Sequence, residues 1–295
     1  MTDKSFYQKK LTWVGLTFLF WYVNIQTFNY LRGESLAIIL ELALSVIVFQ
    51  TIQWADAYEP EPLAALFWVA LFGASASIFI TDTIYQLIRP DIVGNVFVGF
   101  VEESSKAIVL LFVVRAKLIH SWVDGFVYGS LVGLGFSITE DLYYATTDLD
   151  PEGMILFRGL NSIFAHSIFT GIIGASIAYA YLTKKKIGYG IASLGVLAHA
   201  GWNSFVIFLI ANNAALVAFV TPLVFILLAL RLRNYEKSGI ESRCRSLQNQ
   251  GLITPNEFLF LTNLPYRKIH RKTYVSREAK KAFDQKINCM IRSQV

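Results

Sequence analysis

The sequence predicts an all-α, polytopic transmembrane bundle of about eight spans with a small cytoplasmic C-terminal tail. Three observations lead there. Of 295 residues, 55% are hydrophobic and 16% charged, against about 45–50% and about 25% in an average soluble domain, which excludes an ordinary water-soluble fold. The apolar excess is gathered into blocks such as Leu11–Tyr30, Ser35–Gln53, Leu63–Leu87 and Ala211–Leu230, each near the roughly 20 residues that cross a bilayer. Aromatic residues make up 15%, with Phe the most frequent, which suits lipid-facing surfaces and interfacial belts.

Taken in chain order, the first block follows Lys4, Lys9 and Lys10 in the manner of a signal sequence. Its apolar run is long and aromatic, with no small-residue cleavage site after it, so a retained anchor near 11–31 is expected. Further spans are expected near 35–54, 63–87, 92–115, 121–145, 155–182, 187–210 and 212–231. They divide the chain into N-terminal helices (1–91), a core (92–210), a last span (211–231) and a basic tail (232–295). With eight spans both termini share one side of the membrane. That side carries 22 of the 26 Lys/Arg, the other only Arg32, Arg89 and Arg158, and Lys106 lies within a span. The bias places both termini in the cytoplasm.

The net charge of +5 does not signal a nucleic-acid partner. From Arg231 to Val295 there are 14 Lys/Arg against 5 Asp/Glu, a net +9, while the rest of the chain is −4. Basicity beside the last span reads first as a topology signal and as attraction to the anionic lipid bilayer, with a specific docking domain the alternative. Within the tail, Thr254-Pro255-Asn256-Glu257 has the form of a helix start, with Thr254 as cap, Pro255 at the first helical position and Glu257 three residues after the cap. A further short helix is expected over 276–291. The two cysteines, Cys244 and Cys289, form no CxxC or framework spacing, which argues against a structural disulfide or a cysteine zinc site.

Charged groups inside a bilayer cost at least about 2.5–3.5 kcal/mol each and mark functional sites by default. They concentrate in four consecutive spans. The fourth holds Glu102, Glu103 and Lys106, the lysine four and three residues from the two acids and so able to pair with either. The fifth carries Gly125, Gly129, Gly133 and Ser137 at four-residue spacing, then Glu140. The sixth has Ser162, His166, Thr170 and Gly174, the seventh Gly195, His199 and Asn203. Small-residue stripes allow close helix approach, so these polar groups are expected to converge inside the bundle. At about 1.5 Å rise per residue, Glu102, His166 and His199 fall at one depth, about 15–16 Å from the external surface, with Glu140 about 8 Å deep. Asp82 and Asp124 lie near span ends and read as interfacial, whereas Glu41 has no evident partner.

Two imidazoles with carboxylates are the ligand kit of a two-His-one-carboxylate zinc site with an open position for water. The metal lowers the pKa of that water and a second carboxylate takes its proton. Asn203 could donate to an oxyanion. A metal-free route, in which a glutamate activates water, uses the same residues. So does a proton- or ion-coupled transporter, although no internal repeat supports that class.

The pattern resembles the PrsW family of intramembrane proteases, distant relatives of the CAAX prenyl endopeptidases. The matching elements are Glu-Glu-x-x-Lys at Glu102–Lys106, Phe-x-x-x-Glu at Phe136–Glu140, the histidine of "FAHSIFTGIIG" at His166, and His-x-x-x-Asn at His199–Asn203. The resemblance covers 92–210, about 40% of the chain. It implies a multi-spanning protease, metal- or glutamate-dependent, that cuts membrane-anchored protein substrates such as anti-sigma factors, with catalysis carried by Glu102, Glu103, Glu140, His166 and His199. On this reading His166 and His199 hold the metal together with Glu140 or one of Glu102 and Glu103, the remaining carboxylate is general base, and Lys106 orients a glutamate. One departure stands out, because Asp141 occupies a position where the family pattern leads one to expect Asn. An inactive homologue acting as a scaffold is the remaining alternative, against which stands the presence of all five residues.

Overall fold

The computed structural model describes residues 35–88, 90–146, 149–211, 219–274 and 276–292. The expected first span, near 11–31, lies outside them. Among the described residues the chain is helical and without strands. We number the helices α1 (Ser35–Ala55), α2 (Leu63–Leu87), α3 (Pro90–Arg115), α4 (Trp122–Ala145), α5 (Pro151–Thr183), α6 (Ile187–Ala211), α7 (Val220–Asn249), α8 (Pro255–Thr262), α9 (Leu264–Thr273) and α10 (Arg277–Arg292). The bounds of α1–α6 agree with the expected apolar segments to within a few residues. By length and composition α1 from Leu36, α2 and α5 are able to cross a membrane. Two irregularities had no sequence forecast: a single π-helical turn at Gly73–Ser77 within α2, and a break in α3 at Gly94, whose φ of 75° favours glycine.

The chain divides into two compact units, residues 1–50 with 62–226, and residues 51–61 with 227–295. In the first, the glycine stripes act as packing surfaces. A side chain at Gly125, Gly129 or Gly133 of α4 would run into the α5 backbone at Gly174, Thr170 and His166 respectively. Gly135, on another side of α4, meets the backbone of α2 at Ala70, and Thr139 donates to the Ala74 carbonyl at 3.1 Å. The next contacts follow the same rule: Gly99 of α3 abuts Ala200 of α6, and Gly195 of α6 abuts Phe169 of α5. The lack of Cβ atoms thus lets α4 and α5 approach backbone to backbone, the condition for polar side chains on both to meet. Ser121 and Asp124 form a reciprocal cap at the start of α4; Asp124 is fully buried, a helix cap where an interfacial side chain was expected.

The second unit is a folded object with its own core. Tyr58, Ile240, Cys244, Leu261, Phe283 and Ile287 are buried together. The segment between α1 and α2 therefore belongs with the tail, through Tyr58. α7 continues to Asn249, well past the expected end near 231, and stops at Gly251, whose φ is 71°. Thr254 and Glu257 make the reciprocal cap of α8, as their spacing predicts, and α10 occupies the expected 276–291. Arg267 ties the unit together, donating to the carbonyls of Phe260 and Leu261 at 2.8 Å and of Tyr58 at 3.2 Å. Burial lowers its pKa from the usual guanidinium value.

Candidate active site

One turn of α3 supplies three charged groups. Lys106 is entirely buried, and its Nζ lies 2.8 Å from Glu103 Oε1, 2.8 Å from His166 Nδ1 and 3.5 Å from Glu102 Oε2. The same ammonium sits 3.7 Å from the centroid of the Phe136 ring, a cation–π contact. This gives the Phe of Phe-x-x-x-Glu a physical role: one turn before Glu140, it floors the lysine pocket and packs on His166, with ring centroids 5.3 Å apart.

The two imidazoles meet edge to face with centroids 4.8 Å apart, and Phe169 stacks on His199. Hydrogen-bond partners assign their nitrogens. Lys106 donates to His166 Nδ1, so in the neutral ring Nε2 carries the proton, and it faces Glu140 Oε2 at 3.0 Å. His199 Nδ1 donates to Glu103 Oε1 at 2.8 Å, which in the neutral ring leaves Nε2 with a bare lone pair. That lone pair faces Glu102 Oε2 at 3.7 Å. Glu103 is saturated, since Thr170 donates to its other oxygen at 2.8 Å. Glu102 is not: Tyr85 donates to Oε1 at 3.1 Å, while buried Oε2 has no hydrogen-bond partner.

Two acceptors facing each other without a proton between them make a place for a cation. Glu102, His166 and His199 each offer a ligand atom, all within 4.8 Å of one another. Tetrahedral bonds near 2 Å set ligand atoms about 3.3 Å apart, so side-chain rotations closing up to about 1.5 Å bring these atoms to that spacing. The His199–Glu103 contact is the outer-shell carboxylate that fixes the tautomer of a metal-ligating histidine. The donor set therefore fits a divalent metal. Of the carboxylates that the sequence leaves open as ligand, Glu102 joins this group, while Glu140 lies beside His166 as its hydrogen-bond acceptor. The depth estimate from helical rise had put Glu102, His166 and His199 on one level, and the structure brings these three side chains together. Asn203, one turn beyond His199 on α6, is half-buried and makes no hydrogen bond to this cluster among the described residues.

Two further residues escaped the sequence reading. Tyr85 sits on α2, outside the motifs. Arg158 of α5 had been counted only as an external topology charge, yet it lies 3.0 Å from Glu140 Oε2 and 2.8 Å from Asp141 Oδ1, with its guanidinium 4.0 Å from the Tyr144 ring centroid. The one available signal was Asp141 itself, an extra buried charge that demands a counter-ion. Glu41 is fully buried on α1 against Gly159 of α5, with neither carboxylate oxygen hydrogen-bonded.

Comparison with known proteins agrees with the motif pattern. A family model described as "PrsW family intramembrane metalloprotease" matches residues 61–230. Protease PrsW of Clostridioides difficile (strain 630) is 29% identical over 145 residues, 44% of this chain and 58% of that relative, so the chain spans little more than half of the relative's length. No solved structure matches the chain.

Proposed function

Because the chain belongs to the PrsW family of intramembrane metalloproteases, we propose that it hydrolyses a peptide bond in a membrane-anchored protein substrate, just below the external membrane surface. The observation that carries this reading is the convergence of Glu102, His166 and His199, from three helices, around an unsatisfied carboxylate oxygen. These three would hold the metal, with zinc the ion their nitrogen and oxygen donors suit. Bound there, the ion supplies Lewis acidity toward water and the scissile carbonyl.

The chain's own groups do the rest. Glu140 is the most exposed of the three glutamates, at 17% against 4% for Glu102 and 0% for Glu103, and so is the one a water can reach. It takes the water's proton as the oxygen adds to the carbonyl carbon, then delivers it to the amine as the C–N bond breaks. Geometry thus favours Glu140 as base and Glu102 as ligand, one of the alternatives that the sequence leaves open. Glu103 fixes the tautomer of His199 and Glu140 that of His166, whose Nδ1 lone pair, now facing Lys106, is the one a metal would take over as the ammonium turns to Glu103; Asn203, one turn beyond His199, would donate to the oxyanion.

The span count, the catalytic core over 92–210 and the cytoplasmic placement of both termini belong to the same proposal. The Lys/Arg bias supports the topology, and so does the shared core of the α1–α2 connection and the tail, since with eight spans both lie on the cytoplasmic side. A membrane-anchored regulator of the anti-sigma-factor type is the substrate class that the family resemblance suggests.

The test uses purified protein in bilayers with a fluorogenic membrane-anchored substrate. Cleavage should be abolished by Glu102→Ala and by His166→Ala, and by chelation, with recovery on adding zinc. Cleavage that survives both substitutions would overturn the reading. Sidedness-dependent ion uptake without cleavage would move it to a transporter.

A further inference from the structure

Glu140 and Asp141 are consecutive on α4, so their side chains leave the helix about 100° apart. One guanidinium nevertheless reaches both: Arg158 Nη2 lies 3.0 Å from Glu140 Oε2, and Nε 2.8 Å from Asp141 Oδ1. Spanning two carboxylates from one side chain needs the fixed fork of arginine. His166, eight residues further along α5, meets the same Glu140 oxygen at 3.0 Å. Glu140 is thereby held between two groups of one helix. Asp141 touches neither histidine. Its other oxygen accepts from Ser137 at 3.1 Å, and Ser137 bonds Ser162 of α5 at 2.8 Å. The connected side chains Ser162, Ser137, Asp141, Arg158, Glu140 and His166 form a ring closed by the two helices.

The charges explain why an acid stands at position 141. With an amide there, Arg158 would have only Glu140 as counter-ion, and the pairing would draw the carboxylate toward the guanidinium and off His166. With Asp141 taking the Nε side of the fork, the Glu140 carboxylate keeps its direction toward His166. We propose that Asp141 and Arg158 are a positioning pair that sets the Glu140 carboxylate against His166. This rests on the reading of Glu140 as general base.

The experiment measures cleavage by the full chain in bilayers for Asp141→Asn, Arg158→Gln, their double variant, Arg158→Ala with added guanidinium ion, and Glu140→Gln. Each single substitution in the pair should lower kcat about tenfold to a hundredfold and move KM less than about twofold, the signature of a misplaced group rather than lost binding. The double variant should lose no more than the worse single one, because the two residues act as a unit. Guanidinium should restore part of the Arg158→Ala rate, since the side chain is 26% exposed and its place reachable. The nearly isosteric Asp141→Asn keeps the test open if an Arg158 variant fails to fold. Near-native kcat for both single variants beside an inactive Glu140→Gln would overturn the pair and leave the base standing. Losses that multiply in the double variant, with no guanidinium rescue, would make the pair merely structural and also overturn it. A fully active Glu140→Gln would remove the base and this proposal together.

Discussion

Lys106 has no water to share its charge with, and everything around it compensates: two carboxylates, an imidazole nitrogen and the face of Phe136. Removing one partner of a buried ion pair costs about 3–5 kcal/mol because the other charge is stranded. Lys106→Met should therefore lower thermal stability by an amount of that order, read by melting in detergent, as well as stop cleavage. Tyr85 makes a finer prediction. Its hydroxyl is the donor that fixes Glu102 Oε1 and leaves Oε2 directed at His199, and loss of such an outer-shell bond weakens metal binding about 10–100-fold. Metal titration of Tyr85→Phe tests this apart from activity, and an unchanged affinity would remove Tyr85 from the site. At this scale the motif residues were legible because a charge in an apolar run is conspicuous. Tyr85 was not, since a tyrosine near a span end is what an interfacial belt also provides, and Arg158 was hidden by its value as a topology marker.

The helices themselves were legible for a simple reason: long apolar runs bounded by polar residues leave a membrane chain few alternatives to helix. The glycine spacing on α4 further indicated which face meets a neighbour. Sequence could not identify that neighbour, because a small-residue stripe fits any partner helix. The structure assigns it to α5, with backbone-to-backbone contact at Gly129 and Gly133. Replacing Gly129 with Leu must push the two helices apart. Overpacking of this kind costs about 1–3 kcal/mol or more, and since Gly133 abuts the His166 carbonyl, the shift carries His166 away from Lys106. The expected result is a lower melting temperature together with lost cleavage, whereas Gly190→Leu, at a position with open space, should change neither. The helix of the last apolar block runs on to Asn249, which hydropathy could not register because the residues after Arg231 are largely charged and polar.

Over the whole molecule, the tail was the least legible part. Basic composition suggested an appendage held by lipid, and composition cannot reveal that Tyr58, some 200 residues upstream, completes its core. A buried core predicts measurable properties. Leu261→Ala should destabilise this unit by about 2–5 kcal/mol, detectable as earlier proteolysis of residues after 231. Burial also raises the pKa of the Cys244 thiol, so the nucleophilic thiolate is scarce. Cys244 should resist alkylation in the native protein and react once it is unfolded, as followed by mass spectrometry of its peptide. Prompt native labelling would contradict the buried placement.

The bond from Arg267 to the Tyr58 carbonyl joins groups 209 residues apart in sequence, which sets an order in time. At about 5–20 residues per second, ribosomes take roughly 10–40 s to make the stretch between them. For most of that interval the α1–α2 connection precedes its partners on α7–α10, while the helices bearing the glutamates and histidines are being made. Closure of the second unit is thus a late event of biogenesis, and a chain stopped before α9 would carry every candidate catalytic residue and lack it.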